Sequence, residues 1–163
     1  MLTATDYRTI GRDLLAAMDN DRATLTLEDG RTITARIVPD TYHTLDDDGD
    51  WMGEIVASHR DTGRPAQFDG AARKMRHRGG TLWWQPPADL KSDPERLEAL
   101  ARRVQDYYLE RWGYVVAEIT LTAAPCACCG QPQSTTRALG AIESDAGDYF
   151  VDIFADLLSD MEG

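Results

Sequence analysis

All three cysteines of the chain fall within Cys126-Ala127-Cys128-Cys129-Gly130. A Cys-x-x-Cys-Gly turn aims two thiolates at one centre, which is half of the four-ligand set that structural zinc takes. The chain has no second cysteine pair. Cys126, Cys128 and Cys129 would therefore be completed either by one of His43, His59 and His77, or by Cys126 and Cys129 of a second copy. An odd cysteine count is a poor disulfide framework, and the motif does not open a helix after a thioredoxin-like strand, as a redox pair would. Zinc is the one cofactor this pattern would hold; the other reading is a loop whose thiols bind nothing.

Asp148, Asp152, Asp156 and Asp160 repeat every four residues within a predicted helix over 145–161. That spacing stacks them about 6 Å apart on one face, with Tyr149, Ile153, Phe154, Leu157, Leu158 and Met161 covering the other. Like charges at this spacing destabilise a helix by ~0.2–0.5 kcal/mol per pair, and acids near its C-terminus oppose the helix dipole. Such a face either keeps the protein solvated or presents carboxylates in the manner of a row of phosphates. The second role would block a protein that grips DNA.

Arg60, Arg64, Arg73, Lys74, Arg76 and Arg78 crowd residues 60–78 together with His77, and Trp83 and Trp84 follow. Bases beside aromatics hold single-stranded nucleic acid by phosphate contacts and base stacking. The same bases serve equally to pair with the acidic loop at 40–50, with the last helix or with another subunit. In a strand, Trp83 and Trp84 face opposite sides. One belongs to the core; the other is covered by a loop or anchors a partner.

Asp46-Asp47-Asp48-Gly49-Asp50 fails the calcium-loop pattern, because Trp51 stands at the sixth position, where glycine is required, and no Glu stands at the twelfth. There is no Gly-x-Ser-x-Gly, no Gly-x-x-x-x-Gly-Lys and no His-Glu-x-x-His. A metal-dependent hydrolase built from His43, Asp48, His59 and His77 rests on residue type alone. No catalytic residue is assigned, and a non-enzymatic protein is expected.

The elements that must position these groups follow from periodicity. Tyr7, Ile10, Leu14, Leu15 and Met18 share one face of a predicted helix over 5–20. Residues 24–28 and 31–38 alternate about Asp29-Gly30, a hairpin signal with a type I′ turn. A solvated loop is expected at 39–50, a strand from Trp51 to Ser58, irregular chain at 60–80 and a short strand at 81–85. Ser92-Asp93-Pro94-Glu95 reads as a capping box opening a second helix that stops at Gly113. A strand over 114–122, a Cys-rich loop over 123–136, a short strand at 137–142 and the acidic third helix complete the chain. The expectation is one α+β domain over 1–163, with a mostly antiparallel sheet and three helices.

The net charge is −11, from 17 basic and 28 acidic side chains, and residues 114–163 carry one base, Arg137, against eight acids. A field of this sign repels nucleic-acid backbones and anionic membranes and attracts cationic protein surfaces. No apolar run approaches the ~20 residues of a membrane span, and the start has no secretory pattern, so a cytoplasmic protein is expected. With 15 arginines against Lys74 and Lys91 alone, the composition points to a GC-rich genome.

Asp61-Thr62-Gly63-Arg64-Pro65, Leu82-Trp83-Trp84-Gln85-Pro86-Pro87-Ala88-Asp89, and Leu139-Gly140-Ala141-Ile142-Glu143 leading into 149–158 resemble small acidic accessory proteins of actinobacteriophages. The resemblance runs from the first hairpin to the last helix, and Trp-Trp-Gln-Pro-Pro is its most specific piece. It implies a protein acting in the cytoplasm of a host bacterium, in host takeover or against host defence. No catalytic residue comes with it.

Together these readings predict a non-enzymatic protein that binds a bacterial host protein through Asp148, Asp152, Asp156, Asp160, Trp83 and Trp84. The alternative is a small zinc-knuckle module that binds nucleic acid with Arg73, Lys74, Arg76 and Arg78 beside Trp84. A third reading is a homo-oligomer in which the basic middle of one copy meets the acidic ends of the next.

Overall fold

The computed structural model describes residues 4–58, 63–77, 80–125 and 130–162. The fold is α+β and both its sheets are antiparallel. The α-helices number four among the described residues rather than the expected three. The chain clusters into two compact units, Met1–Thr41 with Tyr114–Gly163, and Tyr42–Gly113.

The first unit is a four-stranded meander, β1-β2-β6-β7, with two helices, α1 (Ala4–Ala16) and α4 (Tyr149–Glu162). β1 (Arg22–Thr26) pairs with β2 (Thr32–Pro39), β2 with β6 (Tyr114–Thr122), and β6 with β7 (Ser134–Glu143). Alternate residues Ile33, Ala35, Val115, Ala117 and Ile119 turn to one face and join Tyr7, Leu14, Phe150, Ile153, Phe154, Leu157 and Leu158 in a single core. Burial of such a side chain stabilises by ~1.5–3 kcal/mol, so α4, with seven buried residues, anchors the unit. Gly11 lets α1 lie tight on α4: a Cβ there would stand 2.5 Å from the Val151 carbonyl oxygen.

Two turns differ from expectation. α1 ends at Ala16 rather than 20, because Asn20 (φ 48°) and Asp21 (φ 60°) form a tight turn closed by reciprocal hydrogen bonds between Asp19 and Arg22. The first hairpin closes through a three-residue loop rather than a two-residue type I′ turn. The Leu27 N–H donates to the Arg31 carbonyl at 2.8 Å, and Gly30 alone takes a positive φ, 81°, the arrangement of a bulged hairpin.

The second unit is a three-stranded sheet, β3-β5-β4, with one long helix, α3 (Pro94–Tyr108). β3 (Glu54–Ser58) and β4 (Arg73–His77) each pair with the central β5 (Gly80–Gln85). Met75, Leu82 and Trp84 on the sheet and Leu97, Ala101 and Val104 on α3 are buried. The expected solvated loop at 39–50 instead holds a 3-10 turn (Leu45–Asp48) and α2 (Gly49–Met52). The expected irregular stretch at 60–80 contains β4. The N-cap of α3 is Asp93 and not Ser92: its carboxylate accepts the Arg96 N–H at 3.1 Å. The helix ends at Tyr108 rather than running to Gly113, with Glu110 at φ 57°, where the Glu110 and Arg111 N–H groups donate back to the Tyr107 and Asp106 carbonyls.

Candidate functional site

The acidic stripe belongs to the first unit. Asp148 precedes α4 and is therefore not one of its rungs. Asp152 is paired with Arg8 of α1 at 2.8 Å. Asp156 and Asp160 are exposed and make no ion pair among the described residues. A shallow depression of about 720 Å³ lies where α1 meets the start of α4. Arg8, Arg12, Asp148, Tyr149 and Asp152 line it, and the Tyr149 ring is 59% exposed. The surface is thus a rigid helix edge bearing two unpaired carboxylates, next to a depression of mixed charge.

The tryptophans belong to the second unit, and strand alternation separates them. Trp84 is fully buried and donates its indole N–H to the Met52 carbonyl at 2.5 Å. Burial withdraws it from any contact surface and from base stacking. Trp83 is half-buried on the opposite face, directly across from Lys74, with Arg76 across from Thr81 on that same side. Arg73 shares the other face with Met75 and sits across from Trp84. Arg78 lies outside the described residues.

β4 is an edge strand, and α3 closes part of its outer edge. The Gln105 side-chain amide accepts the Arg76 N–H at 3.0 Å and donates to the Arg76 carbonyl at 2.8 Å, replacing a neighbouring strand at that residue. Beyond it, His77 packs 5.7 Å from Tyr108. Burial, reinforced by the Asp46 carboxylate, pushes the Tyr108 phenol up to about 12.

Cys126, Cys128 and Cys129, and with them the zinc reading, lie outside the described residues, as does His59. His43 pairs with Asp48 at 3.3 Å. Among the described residues no group of three His, Cys, Asp or Glu side chains is placed to hold a metal ion, and no helix is long and apolar enough to cross a membrane.

Two features escaped the sequence reading. The outer face of the four-stranded sheet carries two hydroxyl rows, Thr24, Thr34, Thr120 and Thr136 beside Thr26, Thr32, Thr122 and Ser134. Their hydroxyls bond one another at 3.3 Å (Thr24 and Thr34) and 2.9 Å (Thr120 and Thr136, Thr122 and Ser134). Cross-strand pairs of this kind stabilise a sheet by ~0.2–1 kcal/mol each, which explains the rows without a ligand. The T-x-T pattern in β1, β2 and β6 was the available signal. The second feature is the segment 42–52, where Tyr42 is 94% and Trp51 79% exposed.

At the end of α4, Glu162 gathers three elements. It accepts the Tyr7 hydroxyl at 2.8 Å and a guanidinium N–H of Arg31, whose Nε also bonds Asp29 at 2.6 Å. Burial pushes the Glu162 carboxyl up, but the Arg31 and Tyr7 hydrogen bonds outweigh it and hold the group below its usual range. In the second unit Asp69 accepts from Lys91, from Gln85 and from the Ala71 N–H, which together hold its carboxyl at about 2. Both are structural clamps.

No protein-family model, no curated protein and no solved structure matches this chain.

Proposed function

We propose that this protein is a non-catalytic binding protein that modulates a bacterial host protein by docking the exposed edge of α4 on a cationic surface. The observation that carries this reading is the state of Asp156 and Asp160. They are exposed and without an ion pair among the described residues, on a helix immobilised by seven buried neighbours. Repulsion along the stripe weakens the helix, and a surface held rigid before binding loses little entropy on docking. A net charge of −11 favours a basic partner. The phage-like segments make a cytoplasmic host protein, engaged during takeover or defence evasion, the fitting target. Tyr149 is the exposed aromatic neighbour of this edge, and burial withdraws Trp84 from it.

A photo-crosslinker at the exposed Ser159, between the two carboxylates, tests the reading in a nuclease-treated actinobacterial lysate. A discrete protein adduct is expected, and Asp156→Lys/Asp160→Lys removes it without changing the thermal melt. A doubly reversed protein that crosslinks as well as the parent reduces the stripe to a solvating face.

One observation favours a second reading. Lys74 stands across from Trp83, with Arg76 following on the same face, so bases and an aromatic do converge as single-strand binding requires. That reading expects affinity for a labelled oligothymidine that falls steeply with salt and is lost in Lys74→Glu/Arg76→Glu. An oligonucleotide ignored at low salt ends it.

A further inference from the structure

We propose that the protein associates with a second copy of itself, head to tail, by seating Trp51 of one copy in the groove between β4 and α3 of the next. This goes beyond the docking edge of α4 and does not depend on it.

The projecting half is Trp51, 79% exposed although its surroundings are fixed. Leu45, six residues before it, is 1% exposed and so anchors the segment by burial. The Asp47 carboxylate accepts the Thr44 N–H at 2.7 Å and the Thr44 hydroxyl at 3.0 Å. The Met52 carbonyl, next to Trp51, receives the Trp84 indole N–H. An apolar ring held in water by an ordered scaffold is the kind of anchor that dominates binding energy when a pocket receives it. Its setting is acidic: Asp46, Asp47, Asp48 and Asp50 precede it and Glu54 follows, and no Lys or Arg occurs between Arg36 and Arg60.

The receiving half has the opposite chemistry. A groove of about 380 Å³ runs between β4 and α3, floored by Met75 and Ala101 and lined by Arg73, Lys74, Arg102 and Arg111. Glu98 and Asp106 are also in its wall, paired with Arg102 at 3.6 Å and Arg111 at 2.7 Å. Arg73 is exposed and makes no ion pair among the described residues. An apolar floor with a cationic rim matches an indole flanked by carboxylates.

The contact is intermolecular: Trp51 is 79% exposed and so does not fill the groove of its own chain. The anchor follows the 3-10 turn while the groove borders β4 and α3, so each copy carries one donor and one separate acceptor, the arrangement of a heterologous contact.

Sedimentation velocity of the full chain at about 0.15 M ionic strength, where repulsion between copies is screened beyond ~8 Å, tests this. A small interface predicts mass rising with concentration over roughly 1–100 μM. Trp51→Ala, which removes an exposed side chain, and Arg73→Glu/Arg102→Glu, which reverses the rim, each weaken association at least tenfold with unchanged circular dichroism. Mixed in equal amounts, the two variants recover association that stops at a one-to-one pair, since only one donor and one acceptor remain intact. A parent that stays monomeric to about 100 μM, a Trp51→Ala protein that associates like the parent, or a mixture that stays monomeric overturns the proposal.

Discussion

The Asp40 carboxylate accepts the backbone N–H of Ala141 at 2.9 Å, joining residues 101 positions apart. The bond explains an irregularity in the β6–β7 ladder. Val115 pairs with Ile142 and Ala117 with Leu139, so Gly140 and Ala141 together oppose Val116, and Ala141 adopts φ 57°. Such a bulge leaves an N–H without a ladder partner, and Asp40 supplies one. It also favours glycine at 140, where a Cβ would stand 2.7 Å from the Asp40 oxygen and push the carboxylate off its bond. Asp40→Ala and Gly140→Ala are each expected to cost about 1–2 kcal/mol in urea unfolding. The double variant should cost clearly less than their sum, because both act on one bond.

Glu110 occupies a backbone conformation that glycine adopts without strain. With φ 57° and the two back-donating N–H groups that follow α3, it is the left-handed residue of a Schellman ending. Glu110→Gly is expected to raise stability by about 0.5–1 kcal/mol, read as a higher thermal midpoint.

The acid limit of the fold is set in part by Glu162 and Asp69. Both carboxyls lie below their unfolded values, near 4, so their contributions are full above that pH and are lost as pH falls through the folded values, about 2 for Asp69. Lys91→Met removes the strongest of the bonds that hold Asp69 down. Its carboxyl carbon should then titrate closer to the ordinary range in an NMR titration. Tyr7→Phe should cost about 0.5–1.5 kcal/mol near neutrality, and the deficit should shrink as Glu162 protonates.

Gly53 is fixed by Trp84. At φ 85° a Cβ there would lie 2.3 Å from the Gln85 carbonyl oxygen and 2.7 Å from the Trp84 indole nitrogen. Gly53→Ala is expected to destabilise by roughly 3 kcal/mol or more, combining left-handed strain with overpacking, seen as a collapse of the tryptophan near-UV dichroism. Trp84→Phe keeps most of the apolar volume and should cost less.

What could be read from residue order alone follows burial. β6 was legible to the residue because its run from Tyr114 is rich in β-branched residues and its second half, Glu118-Ile119-Thr120-Leu121-Thr122, alternates polar with apolar. β4 was not, since Met75 is the one apolar residue in Arg73-Lys74-Met75-Arg76-His77, and charged edge strands lack the alternation that marks buried ones. The first half of β7 hid for the same reason: Ser134 through Leu139 are exposed on both faces. Alternation told that one of Trp83 and Trp84 is core, but only the return of the chain at Met52 and Gly53 against Trp84 tells which. Asp152 looked like its neighbours in the stripe until α1 brought Arg8 against it. Trp51 was expected to open a strand running to Ser58, but it lies in α2 and β3 begins only at Glu54; Leu45, an apolar residue in an acidic run, was the hint of ordered structure before it. The loss of bases after residue 113 falls on the second boundary between the units, but nothing comparable stands at position 41.

The chain leaves the first unit and re-enters it at a single rung. Pro39 pairs with Val115, and the Asp40 N–H donates to the Tyr114 carbonyl at 2.9 Å, so residues 42–113 are spliced into what is otherwise a plain β2–β6 hairpin. Closing that hairpin around an unstructured loop of such length costs about 3–4 kcal/mol of chain entropy. A spliced segment that has already folded, with its two ends side by side, removes most of that cost. Chain entropy therefore favours an order of assembly in which the inserted segment folds before the flanking strands meet. A short turn in its place would leave the four-stranded meander able to close by itself.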